Sequence, residues 1–290
     1  MKLISDIVYV EREGRLLKLD LYLPSEPDLP CPVVAWVSGG GWRGGGKSLF
    51  PDAWFIDSGI AVAAIDYTLS PVRPFPAAIE DFQTAICWLR AHADEYRILP
   101  DRVGVWGGSA GAHLAALLAL SAGVRNWEVP ETISGQRRTI QAVCAVNGIN
   151  DLARTADPSQ KLRYPSIYGH ASQFLGGPVE GKLDLAKEAS PITYVHAGGP
   201  PFLIFHGTCD SIVPFEESLL IRDALQKVGV PVEFHAVQGA GHGYSLPDIK
   251  EMNRKTFEFF VRTLRPVSGG AKCTNFYSWE EPSPGPHAPS

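Results

Sequence analysis

The feature that most constrains this chain is a rhythm. From Pro32 onward, short runs of Val, Ile, Ala and Phe alternate with longer stretches whose apolar residues recur every three or four positions. The runs are Pro32–Val37, Ile60–Tyr67, Arg102–Trp106, Ile140–Val146, Pro201–His206 and Val232–Val237. A strand apolar at nearly every position must be covered on both faces, which is the condition of a parallel sheet between helices. Two earlier runs, Ser5–Val10 and Leu16–Leu23, alternate instead and flank Glu13-Gly14, so the sheet is expected to start antiparallel. The fold class is therefore α/β: a mostly parallel central sheet of about eight strands with helices on both faces.

The helical stretches carry their own signals. Pro76 suits a first helical position, and Ile79, Phe82, Ile86 and Leu89 follow on one face. Glu216–Val228 has acids in its first turn and ends at Gly229. Asp248 is placed to cap a last helix bearing Ile249, Met252, Phe259 and Phe260. Residues 150–198 are polar and irregular and read as an excursion over the sheet and the site. Residues 1–265 form one expected domain. Residues 266–290 hold five prolines and read as a flexible tail, whose Phe276, Tyr277 and Trp279 could dock back on the body.

Composition excludes several functions. With 26 Lys and Arg against 31 Asp and Glu, and no basic run, the chain has no footprint for a phosphate backbone, so no nucleic-acid partner is expected. Its five cysteines are an odd, scattered set that reads as reduced thiols, with no zinc-site spacing. The longest apolar run, Ala110–Leu120, is too short to span a membrane and contains His113. The first residues lack the apolar stretch of a signal peptide, so a cytoplasmic location is expected unless a leader was removed. Whether the chain acts alone or as a homodimer is open.

The sharpest chemical signal is Gly107-Gly108-Ser109-Ala110-Gly111. It matches G-x-S-x-G between a strand and an apolar helix, the context a nucleophile elbow requires. The alternative is a glycine-rich turn without chemistry. A serine needs a base to take its proton. Of the eight histidines, His242 stands apart in GAGHG, a glycine loop after a strand. Ligand-facing residues collect at the C-terminal ends of strands in open α/β sheets. His113, inside the nucleophile helix, reads as a satisfied core residue. Asp210, in HGTCDSIVP, also follows a strand and supplies an acid for the base. Asp151 is a rival acid that reads better as a helix cap. The order Ser109, Asp210, His242 is one known for such triads. After the strand Pro32–Val37 comes SGGGW, whose bare backbone can approach a substrate oxygen. Gly40, Gly41 and Ala110 are the candidate oxyanion donors. Trp42, Tyr67, Phe75 and Tyr244 stand near these loops, where they could line an acyl or aryl pocket or pack in the core.

The same stretch satisfies the nucleotide pattern G-x-x-x-x-G-K-[ST] over Gly41–Ser48. Pro51 argues against that use, because the pattern must open into a helix.

SGGGW at 38–42, DYTLSP at 66–71, FPAAIEDFQTAICWLR at 75–90, DRVGVWGGSAGAHLAAL at 101–117, SPITYV at 190–195, PPFLIFHGTCDSIVP at 200–214 and VEFHAVQGAGHG at 232–243 together resemble the α/β-hydrolase serine esterases. The resemblance covers roughly residues 15–265. It is closest to the hormone-sensitive-lipase-like carboxylesterases and the BD-FAE-type (feruloyl and acetyl-xylan) esterases. It implies an α/β-hydrolase fold with a minimal cap, Ser109 as nucleophile, Asp210 as acid, His242 as base, and no metal or organic cofactor. The implied substrates are short-chain acyl or aryl esters, including acetyl or feruloyl groups on oligosaccharide. One departure is Ser38, where the family commonly has a histidine that orders the glycine loop; another is Val72, where it often has an acid. An amidase or peptidase of the same fold and a non-catalytic binding protein are the rival readings.

Overall fold

The computed structural model describes residues 1–24, 30–47 and 59–265. Its strands are β1 (Lys2–Arg12), β2 (Arg15–Leu23), β3 (Cys31–Val37), β4 (Ala61–Ile65), β5 (Ile98–Gly108), β6 (Ala142–Val146), β7 (Phe202–Gly207) and β8 (Val232–Val237). They form one eight-stranded sheet in the order β1-β2-β4-β3-β5-β6-β7-β8. β2 pairs antiparallel with both β1 and β4, and every later neighbour pair is parallel. The antiparallel start is thus present. The helices are α1 (Ala77–Ala91), α2 (Ala93–Tyr96), α3 (Ala110–Ser121), α4 (Pro158–Arg163), α5 (Pro165–Phe174), α6 (Leu183–Glu188), α7 (Phe215–Lys227) and α8 (Leu246–Leu264).

The continuous apolar runs are explained by two cores. In β3, Val33, Ala35 and Val37 join a core shared with α1, α3 and α7. Val34 and Trp36 point the other way, into a second core with Phe259, Phe260 and Leu264 of α8. A fully buried aromatic of this kind contributes about 3–5 kcal/mol against its replacement by Ala.

Four local expectations are revised. β8 has no fully buried residue, because it is the last strand and only β7 flanks it. Pro76 precedes α1 as its N-cap residue rather than opening it. Asp248 lies in the first turn of α8, and Ser245 is the cap: its hydroxyl accepts from the Asp248 N–H and donates to the Asp248 carboxylate. The excursion after β6 is more regular than its composition suggests, since it contains α4, α5 and α6. Asp157 caps α4 by accepting from Ser159 N–H and Gln160 N–H. The expected tail, 266–290, lies outside the described residues. No helix of the described residues is long and apolar enough to cross a membrane.

Candidate active site

Ser109 sits at the turn from β5 into α3 with φ 55° and ψ −120°, a conformation costing an L residue about 1–3 kcal/mol. The neighbours force it. A Cβ on Gly107 would lie 2.3 Å from the Gly111 carbonyl carbon, and one on Gly111 would lie 2.1 Å from the Val37 carbonyl oxygen. Only glycine permits α3 to start this close to β5 and β3. The Ser109 N–H donates to the Val146 carbonyl at 2.7 Å, fixing the elbow to β6.

The three distant residues meet. His242 Nε2 is 3.0 Å from Ser109 Oγ, and His242 Nδ1 is 2.7 Å from Asp210 Oδ2. Asp210 is held by further donors: Oδ1 accepts from the Ile212 and Val213 N–H groups at 2.8 and 2.9 Å. Burial pushes its carboxyl up, but donation from His206, His242, Val213 and Ile212 outweighs this and leaves it well below the usual carboxylate range. An ionised Asp210 only accepts, so His242 Nδ1 carries the proton and Nε2 is left to accept from the serine.

His206 is a residue the sequence reading passed over. Its Nε2 lies 3.3 Å from Asp210 Oδ2 and 3.2 Å from the Val213 carbonyl. Both are acceptors, so this nitrogen is protonated, while Nδ1 lies 2.7 Å from Ser218 Oγ. The acid thus carries two imidazoles on one oxygen.

The oxyanion candidates are Ala110, next to Ser109, and Gly40 and Gly41 in the loop after β3. Ala110 opens α3, where the first backbone N–H groups lack helical partners. Among the described residues, no acceptor meets the N–H of Gly40 or Gly41. A Cβ on the adjacent Gly39 would fall 3.2 Å from Ser109 Cβ, so the loop lies directly against the serine. Gly40, at φ 109°, needs a conformation that other residues avoid. Ser38 does ordering work of its own: its Oγ accepts from Gly46 N–H at 2.8 Å, and Tyr67 donates to its carbonyl at 3.3 Å.

Three expected pocket residues pack instead. Trp42 is fully buried, stacks on Phe174 at 4.5 Å and donates to His113 Nδ1 at 3.2 Å. Tyr67 and Phe75 are also buried, with Phe75 against Trp127 and Phe174. Tyr244 is half-buried, and its hydroxyl donates to Asn147 Oδ1. His113 is buried and satisfied, with Nε2 donating to the Ala189 carbonyl, and burial pulls it down to about 4. Asp151 caps a short turn by accepting from Ala153 N–H. A second missed residue, His170 of α5, covers Gly41: a Cβ there would lie 2.7 Å from its Nδ1.

The nucleotide pattern has no support in the described residues. Lys47 Nζ is engaged by Asp20 at 2.8 Å and Asp6 at 3.2 Å, and its N–H by Asp66 at 2.8 Å. Ser48 lies outside those residues. No group of three or more potential metal ligands is clustered among them.

Known proteins resemble this chain in sequence and fold. Esterase LipQ of Mycobacterium tuberculosis is 34% identical over 254 residues, which are 83% of this chain and 57% of LipQ. The chain spans a little over half the length of the curated relatives it matches first. A butyrate-bound structure of the esterase Est2 from Thermogutta terrifontis is 30% identical, with a TM-score of 0.75 over 90% of this chain and 95% of Est2. A truncated carbohydrate esterase from gut microbiota has the same fold, with a TM-score of 0.78 over 91% of this chain and 96% of its own at 23% identity. The BD-FAE family matches residues 19–225. With its eight-stranded α/β-hydrolase sheet and this match over most of its length, the chain belongs to the BD-FAE family.

Proposed function

We propose that this protein hydrolyses carboxylic esters through an acyl-enzyme intermediate. The observation that carries the reading is the continuous hydrogen-bonded chain Ser109–His242–Asp210 beside the N–H groups of Gly40, Gly41 and Ala110. Ser109 Oγ attacks the ester carbonyl carbon while His242 Nε2 takes its proton. The carbonyl oxygen becomes an anion and is met by the backbone N–H groups. One such donor is worth about 3–4 kcal/mol in comparable sites. His242 then gives its proton to the leaving alcohol oxygen as the C–O bond breaks. Water repeats the sequence on the acyl-serine, releasing the acid and restoring Ser109.

The acyl group in this reading is short. Trp42, Phe174 and Phe75 are packed on one another in the core, and His170 lies close against Gly41. Butyrate is bound in the Est2 structure. Acetyl or feruloyl groups on oligosaccharide are the finer substrate reading, supported by the family match. The test is a p-nitrophenyl ester series from acetate to decanoate on wild type and Ser109→Ala. Cleavage of the short esters by wild type alone is expected. Equal activity of the two proteins would refute the assignment.

A further inference from the structure

We propose that Asn147 is a positioning residue for this reaction, pinning the chain around the base to the ends of β6 and β7. The inference rests on the ester-hydrolase reading and adds to it a residue that does not touch substrate. Asn147 directly follows β6 and is 2% exposed. Its Nδ2 donates to the His242 carbonyl at 2.9 Å. Its Oδ1 accepts from Gly207 N–H at 3.2 Å and from the Tyr244 hydroxyl at 2.5 Å. One side chain therefore joins two strand ends to both sides of Gly243.

The segment before His242 is tied differently. Cys209 N–H donates to the Ala240 carbonyl at 2.9 Å, and Gly239 N–H donates to Thr208 Oγ1 at 2.9 Å. Those bonds fix the approach to the base from the acid loop. Between His242 and the cap at Ser245, the side-chain ties among the described residues that do not involve the imidazole converge on Asn147. The imidazole must meet Ser109 and Asp210 at once, at 3.0 and 2.7 Å. A small displacement of the His242 backbone breaks one of these bonds. The elbow holding Ser109 is fixed by other contacts and stays where it is.

The backbone of Asn147 offers a clean test. Its φ is 51°, the left-handed region that asparagine tolerates and glycine occupies freely. Asn147→Gly thus keeps the turn and deletes the three side-chain bonds. Tyr244→Phe removes one bond and leaves Asn147 on the His242 carbonyl. Both full-length variants and wild type are assayed on p-nitrophenyl acetate. Rates are expressed per active site, after fluorophosphonate titration taken to completion, and melting temperatures are compared. Asn147→Gly is expected to lower kcat on the order of ten- to a hundredfold, with KM within about twofold of wild type. Tyr244→Phe is expected to lose less. Wild-type kcat per titrated site in Asn147→Gly overturns the proposal, because any loss then reflects folded fraction alone. A greater loss in Tyr244→Phe than in Asn147→Gly also overturns it. An inert wild type is a different result, which removes the ester reading itself.

Discussion

β5, which delivers Ser109, lies between β3 and β6 and is buried over residues 103–107. β8, which delivers His242, is an edge strand and has no fully buried residue. Ser109 is held by exclusion: strands, a helix and two glycines leave its backbone no other path. His242 is held by a handful of hydrogen bonds across a loop. Damage on the first side should cost the fold, and damage on the second should cost turnover while the fold survives.

The largest expected effect tests the endpoint of both sides. Ser109→Ala and His242→Ala should each lower kcat on the order of 10⁴- to 10⁶-fold with unchanged circular dichroism. Substantial residual turnover in either would break the triad assignment. Gly111→Ala comes next, since the new methyl would lie 2.1 Å from the Val37 carbonyl oxygen. Overpacking of this kind costs about 1–3 kcal/mol or more. A melting temperature equal to wild type would show that the elbow can yield.

Glu217 of α7 sharpens the polar side of the comparison. It accepts from the Asn150 and Asp151 N–H groups at 2.8 and 2.9 Å, bracing the turn after β6. Burial pushes its carboxyl up to about 7, against the partial opposition of those bonds and Arg154. A carboxyl raised by folding holds its proton in the native state while the unfolded chain has lost it. The contribution of this carboxyl to stability therefore falls as pH rises from the ordinary glutamate range to about 7, and is flat beyond. Glu217→Gln keeps an acceptor for the two N–H groups and removes the titration. Urea denaturation at pH 5 and pH 8 should show the variant gaining on wild type by up to about 3 kcal/mol. A pH-independent difference would contradict the raised carboxyl. The smallest effect is expected for Gly241→Ala in the loop, where a Cβ would find its nearest neighbour, the Cys209 carbonyl, at 3.9 Å. Stability should stay within about 0.5 kcal/mol of wild type, and a large loss would show that the base loop is packed after all.

What could be read from the chain follows the same division. Continuous apolar runs announced β3 to β7, and small residues around Ser109 announced the elbow, because packing leaves a mark at each position. Ser109, Asp210 and His242 were legible from residue type and from their places after strands. Asn147 and His206 were not. Asn-Gly after a strand is an ordinary turn signal, and a histidine ending a strand says nothing of its distance to Asp210 four residues on. Trp42, Tyr67 and Phe75 were placed near the site correctly, but nearness along the chain does not say whether a ring faces the cleft or the core. Asp248 was read as the cap of α8, and the cap is Ser245, three residues earlier, because residue type alone does not fix where the first turn begins.

The sheet order sets a span. β5 and β8 are separated by β6 and β7, three strand spacings or about 14 Å. The chain leaving β8 must fold back over two strand ends to bring its imidazole to the serine. The length of 238–241 is therefore a ruler for the reaction and not for the fold. One residue added or removed there would move the base off the nucleophile while every strand kept its partner. A scaffold built this way can lose catalysis in a single short insertion and keep its shape, and with the shape, any capacity to bind.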